Sequence, residues 1–310
     1  MTADEPRVPV VPLFRQQQRM RDRIAADRAQ RYAAFLQQVQ NPTEAPTLKL
    51  GARTLFQAQG KRTLRLLAEG DSWFDYPLPW PGGDGVISQL QTLLGYPIAN
   101  MAHYGLEVTQ MMGLSLRQEI ISRLSDPKIR YDALLFSGGG NDLVGDRFCI
   151  WLKDSPPVVP PEQMLDDNAV NSALAVLEAE YRELVALRDK YSPQTVLFLH
   201  GYDFPPVTGK GVCGVGPWLK PSLDFVYNQL GVTNPNKDDE YAVVKNLLQR
   251  FGGMLSKLAG DPEVERVVVV PTQGTLTPND ADWQNEIHPS KAGFVKIAQR
   301  FKDALSANFP

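Results

Sequence analysis

From residue 62 onward the chain alternates between two rhythms of apolar and polar positions. Short dense apolar runs recur as "TLRLLAE" (63–69), "PIANMA" (97–102), "YDALLFSG" (131–138), "TVLFLHG" (195–201) and "VERVVVVP" (264–271). Their length and apolar density predict buried strands. Between them, "VISQLQTLLG", "EVTQMMGLSLRQEIISRLSD", "ALAVLEAEYRELVALRDKY" and "YAVVKNLLQRFGGMLSKLAG" carry helical spacing, and "PSKAGFVKIAQRFKDAL" closes the chain. Strand and helix alternating in this way predict βα units around a mainly parallel five-stranded sheet with helices on both faces, a three-layer α/β/α sandwich. In such folds ligands bind beyond the C-terminal ends of the strands.

Two regions break the rhythm. Residues 14–40 place Met20, Ile24, Tyr32, Phe35 and Val39 at roughly helical spacing with arginines between them, which predicts an amphipathic helix. Its arginine-rich face reads as a solvated surface of a helix packed on the main domain or on a second copy of the chain, so homo-oligomerisation through this helix is an open expectation. Pro42 and Pro46 then break the helix and begin a linker. The expected division is 1–60 for this helical extension and linker and 61–310 for the α/β domain. Within the latter, residues 145–162 and 203–236 are long segments rich in Pro, Gly and aromatics, each following a strand and so expected on the ligand-binding rim.

Composition narrows the class of partner. A formal net charge of -3 with 43% hydrophobic residues is that of an ordinary globular protein, with no basic surplus to suggest nucleic acid. The N-terminus has no basic start, apolar core and small-residue cleavage site, and no stretch approaches the roughly 18 apolar residues of a membrane span. The default expectation is the cytoplasm, with export that reads no N-terminal signal left open. Cys149 and Cys213 have no metal-type spacing and read as unpaired thiols, although their loops follow neighbouring strands and a cross-link between them is geometrically conceivable.

The chemistry begins at "LLAEGDSWFDYP", residues 66–77, where an apolar strand ends in a Gly-Asp-Ser turn and a group of aromatics. A reactive serine needs exposure on a tight turn, an imidazole to take its proton, an orienter for that imidazole and donors for an oxyanion. Gly70 would permit the sharp turn before Ser72. Of the three histidines, His200 lies inside an apolar strand and His103 follows one. His288, in "NEIHPSKAGF", precedes Pro289, a good first helical residue, so the expectation is an imidazole at a helix N-cap, kept neutral by the helix dipole.

With these residues in view the chain resembles the SGNH, or GDSL-type, serine hydrolases. "GDS" matches the family's nucleophile block with Ser72. "NMAHYG" supplies Gly105, "GGND" supplies Asn141 and "HPSKAGF" supplies His288, all in the family's order over roughly residues 62–306. The resemblance implies the flavodoxin-like SGNH hydrolase fold. It also implies a carboxyl-ester hydrolase of esterase or lipase type, with an acyl-enzyme on Ser72 and His288 as general base. The oxyanion hole would comprise the Ser72 and Gly105 backbone N–H groups and the Asn141 amide. No cofactor or metal is implied, and the substrate would be a small-molecule, lipid or glycan ester.

One position departs from the family pattern. The aspartate usual three residues before the histidine is Asn285 here, so the orienter is open between Asn285 or a backbone carbonyl, Asp282, and Glu286. Asn285 or a backbone carbonyl is favoured, because Glu286 adjoins Asn285 and is expected to point elsewhere and Asp282 is a full turn further away. An amide oxygen still accepts the ring N–H although it brings no charge, and a weak enzyme is the remaining alternative. Trp73, Phe74, Tyr76 and Trp80 after the serine, with Trp151, are the expected pocket wall. Two further readings stay open: an acyltransferase in which an alcohol or sugar intercepts the same acyl-enzyme, and a binding protein on a decayed hydrolase fold. "GKGVCG" (209–214) matches a dinucleotide fingerprint only literally, since prolines precede it instead of a strand. Asp75, Asp84, Asp142, Asp166 and Asp167 read as turn and cap residues, not metal ligands.

Overall fold

The computed structural model describes residues 13–40, 63–77, 85–155, 157–212 and 214–310. The expected linker, Trp80, Asp84 and Cys213 lie outside them. Five strands form one parallel sheet: β1 (Leu66–Gly70), β2 (Ala99–Asn100), β3 (Ala133–Ser137), β4 (Val196–His200) and β5 (Val267–Val270), in the order β2-β1-β3-β4-β5. Each falls inside one of the apolar runs, except that β1 runs one residue past the first, to Gly70. β1 and β3 are buried along their whole length, as expected of parallel strands covered on both faces.

Among the described residues the seven longer helices are α1 (Leu13–Gln40), α2 (Gly85–Leu94), α3 (Leu114–Leu124), α4 (Asp167–Tyr191), α5 (Lys220–Gln229), α6 (Lys237–Ala259) and α7 (Lys291–Asn308). α2 packs on α7, and α4 packs on both α3 and α6, giving a helical layer on either side of the sheet. Aromatic side chains mark the two interfaces. Phe136 meets Tyr181 of α4 on one face, and His200 meets Phe301 of α7 on the other. The period-two alternation of strand side chains sends neighbouring residues to opposite layers.

The single amphipathic stretch expected over 107–126 is divided at Gly113 into a short turn of helix at Val108–Met111 and α3. Residues 203–236, expected as rim loop, contain α5, whose N-terminal turn begins at Lys220 and Pro221. Asp166 caps α4 by accepting from the Ala169 N–H. α1 packs beside β2, and Ile24, Tyr32 and Phe35 are buried in the same core as the sheet. Its Arg28 is also buried and reaches Glu69 of β1 at 2.7 Å.

Candidate active site

The chain runs from β1 to β2 on one side and then returns to β3 on the other, so strand order reverses between β1 and β3. Their C-terminal ends open a crevice at this switch point, where ligands of α/β sheets bind. Ser72 follows β1, and Asn141 lies in the short helical turn Gly140–Leu143 after β3.

The turn that carries Ser72 is built from Asp71. Its carbonyl accepts the N–H groups of Phe74 (3.1 Å) and Asp75 (3.0 Å), while its Oδ1 accepts the Trp73 N–H at 3.0 Å. This curls the chain tightly and leaves Ser72 7% exposed. Gly70 serves a different purpose from the one its sequence context suggests. A Cβ there would stand 2.6 Å from the Ser137 carbonyl oxygen, so the glycine permits the close approach of β1 to β3.

The imidazole of His288 is brought to this turn from 216 residues away, with Nε2 2.8 Å from Ser72 Oγ. Its Nδ1 lies 3.0 Å from Asn285 Oδ1. That same oxygen accepts the backbone N–H groups of Ile287 (3.1 Å) and His288 (3.0 Å). Those backbone donors require an oxygen at this corner of the amide, so Nδ1 carries the ring proton and Nε2 offers its lone pair to the serine hydroxyl. An asparagine therefore solves the tautomer problem that an amide would otherwise create.

His288 is not the N-cap of α7. Ser290 holds that position and accepts the Gly293 N–H at 3.2 Å. The helix dipole thus gives way to burial as the cause of neutrality: desolvation pushes the His288 pKa down to about 3. Asp282 and Glu286 are both engaged elsewhere. Asp282 accepts from Lys296 Nζ at 2.7 and 2.8 Å and from the Thr277 N–H at 2.8 Å. Glu286, fully buried, receives four backbone N–H groups, those of Gly209 (2.7 Å), Trp218 (2.7 Å), Leu219 (2.8 Å) and Lys220 (3.1 Å).

Asn141 Nδ2 donates to the Leu106 carbonyl at 2.9 Å, which ties its amide to the loop that carries Gly105. Among the described residues, neither the Ser72 nor the Gly105 backbone N–H donates to another group. Ser72 and Asn141 share a cavity of about 40 Å³ whose walls include Trp73, Val144, Tyr202, Pro205, Leu248, Trp283 and Ile287.

Of the expected pocket wall, Trp73 lines this cavity and also donates its indole N–H to the Ile287 carbonyl at 2.9 Å. The other three described aromatics stand off it. Phe74 is fully buried against His200 and Phe301, because the helical curl after Ser72 turns it to the α7 face of the sheet. Tyr76 lies behind the imidazole, 4.8 Å between ring centroids, and its hydroxyl accepts from Asn285 Nδ2 at 3.4 Å. Trp151 donates to the Leu143 carbonyl at 2.9 Å and packs on the core instead. Tyr202 and Trp283 were not foreseen as lining residues, although "HGYD" directly after the fourth strand marks Tyr202 as a rim position. Cys149 is a free thiol bonded to the Asp146 carbonyl. Among the described residues no group of three or more His, Cys, Asp or Glu side chains is placed to hold a metal ion, and no helix is long and apolar enough to cross a membrane.

No family model matches the chain, and no curated protein matches it in sequence. Among solved structures, it is similar to a lipase from a goat rumen metagenome, at 16% identity over 78% of this chain and 97% of that one, with a TM-score of 0.47. A protein of Slackia heliotrinireducens assigned to the SGNH hydrolases gives 12% identity over 79% and 100% of the two chains, with a TM-score of 0.47. An acetylxylan esterase from Geobacillus stearothermophilus gives 18% identity over 78% and 94%, with a TM-score of 0.43. The chemistry of the site is therefore read from its own side chains.

Proposed function

We propose that the chain is a serine hydrolase of the SGNH type that cleaves carboxylic esters of small acyl groups through an acyl-enzyme on Ser72. The observation that carries this reading is the relay Ser72 Oγ, His288 Nε2, His288 Nδ1, Asn285 Oδ1, closed by contacts of 2.8 and 3.0 Å. A hydroxyl hydrogen-bonded to a neutral, correctly tautomerised imidazole is the arrangement that activates a serine.

On this reading the reaction has two acyl-transfer steps. His288 Nε2 takes the Ser72 proton as Oγ attacks the ester carbonyl carbon. The developing oxyanion is met by the Ser72 and Gly105 N–H groups and the Asn141 amide, each such donor worth about 100- to 1000-fold in rate. Collapse of the tetrahedral intermediate breaks the bond to the alkoxy oxygen, which leaves as the alcohol with the proton from Nε2. Water then attacks the acyl-enzyme, giving a proton to Nε2. The second collapse releases the carboxylic acid and returns the proton to Oγ.

Small acyl groups fit the space beside Ser72. A cavity of about 40 Å³ beside Ser72 has room for roughly three water-sized groups, which favours acyl groups of two to four carbons, by this estimate, over long chains. The test is turnover of p-nitrophenyl esters from acetate to octanoate by the wild-type chain and Ser72→Ala. The expected result is a preference for the short esters and loss of about 10³-fold or more in the variant. Absence of Ser72-dependent turnover with every ester would overturn the reading, and an octanoate preference would overturn the acyl size. Transfer of the acyl group to an added sugar or alcohol in preference to water would make the protein an acyltransferase.

A further inference from the structure

Tyr202 is the largest departure from ordinary backbone near the site. Its φ is 59°, and Arg266 is the one other described non-glycine residue with positive φ. Side chains with a branched or bulky Cβ substituent rarely adopt this conformation, and it persists where surrounding contacts over-determine it. Here they do. The Tyr202 N–H donates to His200 Nδ1 at 3.2 Å, and the Tyr202 carbonyl accepts the Thr272 hydroxyl at 2.6 Å. The strained backbone aims the phenol between the two turns that carry Ser72 and Asn141. Its hydroxyl donates to Asp71 Oδ2 at 2.5 Å and accepts the Gly140 N–H at 3.0 Å. The fit is close: a Cβ at residue 140 would lie 2.9 Å from Tyr202 Cζ.

Resting on the ester-hydrolase reading of Ser72, we propose that Tyr202 and Asp71 form a positioning strut that holds the nucleophile turn and the oxyanion-donor turn in register. Neither side chain touches the Ser72 hydroxyl or the His288 ring. Asp71 acts on the residue after it, and Gly140 acts on the residue after it, so one phenol sets the distance between the attacking oxygen and the Asn141 amide. Asp71 does this as an ionised acceptor of three donors, the third being the Ser137 hydroxyl at 2.8 Å.

The strut is sensitive to acid. The titratable groups around the Asp71 carboxyl are Tyr202, Tyr181 of α4 and Asp142 of the 140–143 turn. His200, kept neutral by burial, lies beneath Tyr202. No salt bridge reaches Asp71 among the described residues. Burial raises its pKa from 3.8 to about 6. A protonated Asp71 has a hydrogen to donate where it formerly only accepted, so the three-donor arrangement loosens as pH falls through about 6. His288 remains neutral over that range, its pKa being depressed to about 3.

The experiment compares Tyr202→Phe and Asp71→Asn with the wild-type chain in three readouts. In kinetics, Tyr202→Phe should lower kcat by about a hundredfold with KM little changed, the cost of about 1 Å of misplacement. In pH profiles, the wild-type kcat should fall with an acid limb near 6 that is absent from Asp71→Asn, which cannot titrate. A merely structural role would scale the whole profile and leave the limb in place. In crystal structures, Tyr202→Phe should show the Gly140–Asn141 turn shifted relative to Ser72. Wild-type kcat in both variants, with Ser72→Ala inactive, would overturn the strut and leave the hydrolase reading intact. A wild-type chain without ester turnover would instead overturn the hydrolase reading, and the strut would then stand or fall on whether the turn moves in the variant crystal.

Discussion

Two fully buried glutamates support the two halves of the site by opposite means. Glu69, on β1 three residues before Ser72, is met by one guanidinium, Arg28 of α1, at 2.7 Å and by a single peptide N–H, that of Gly70, at 3.0 Å. Glu286, two residues before the imidazole, is met by no cation among the described residues but by four peptide N–H groups from the 209–220 segment. Burial outweighs the pull of Arg28 and raises the Glu69 pKa to about 7. The Ser72 side thus relies chiefly on a point charge delivered from a separate helix, which a single substitution removes. On the His288 side the support is spread over a loop that Glu286 itself organises, and the same loop sets Trp218 edge-on to His288, with ring centroids 5.5 Å apart.

Removing Arg28 should have the largest effect on stability. Arg28→Ala leaves Glu69 buried without its partner and is expected to cost about 3–5 kcal/mol in chemical denaturation, whereas replacing both members with apolar residues should recover most of that loss. If Arg28→Ala unfolds like wild type, the contrast between the two halves collapses. Glu286→Gln comes next: it puts an amide N–H₂ where two peptide donors need an acceptor, and about 2 kcal/mol should be lost, read as a shift in denaturant midpoint. Limited proteolysis should then cut first within 209–220.

Asn285→Asp sharpens the comparison by adding a charge to the His288 side. The carboxylate would stabilise the imidazolium, so the His288 pKa should rise from about 3 by at least about one unit, followed by ring-proton NMR. The sign for stability follows. A histidine with a depressed folded pKa contributes stability above about 6.5 that is lost as pH falls toward 3, and the variant should lose less of it. The smallest effect is expected for Arg31→Ala. Its side chain is partly exposed, pairing with Asp27 and Asp75 and donating to the Ala102 carbonyl at 2.8 Å, and its loss should cost under about 1 kcal/mol.

Sequence patterns carried the sheet well because buried parallel strands are dense in apolar residues, and all five runs contain a strand. The base loop was legible for a local reason. Asn285 and His288 are three residues apart, so the side chain that orients the ring is visible in the same short block. Supports that come from a distance were not legible. Arg28 reads as one more arginine on a polar helix face, and only the packing of α1 beside β2 turns it inward to Glu69. Tyr202 carries no motif, and its role arises from a backbone conformation that its residue type disfavours. His288 next to a proline suggested an N-cap, but the chain needs two more residues to bring Ser290 to the helix start, and those residues carry the imidazole into the core. Phe74 likewise follows the serine in sequence and leaves it in space.

Whether Ser72 is an activated nucleophile is read most directly by intact and peptide mass spectrometry after exposure to a small alkyl fluorophosphonate at neutral pH. One adduct is expected, located on Ser72, formed at a rate that His288→Ala reduces sharply and Ser72→Ala abolishes. No adduct on the folded wild-type chain, or an adduct on Ser72 that forms equally fast without His288, would contradict that activation.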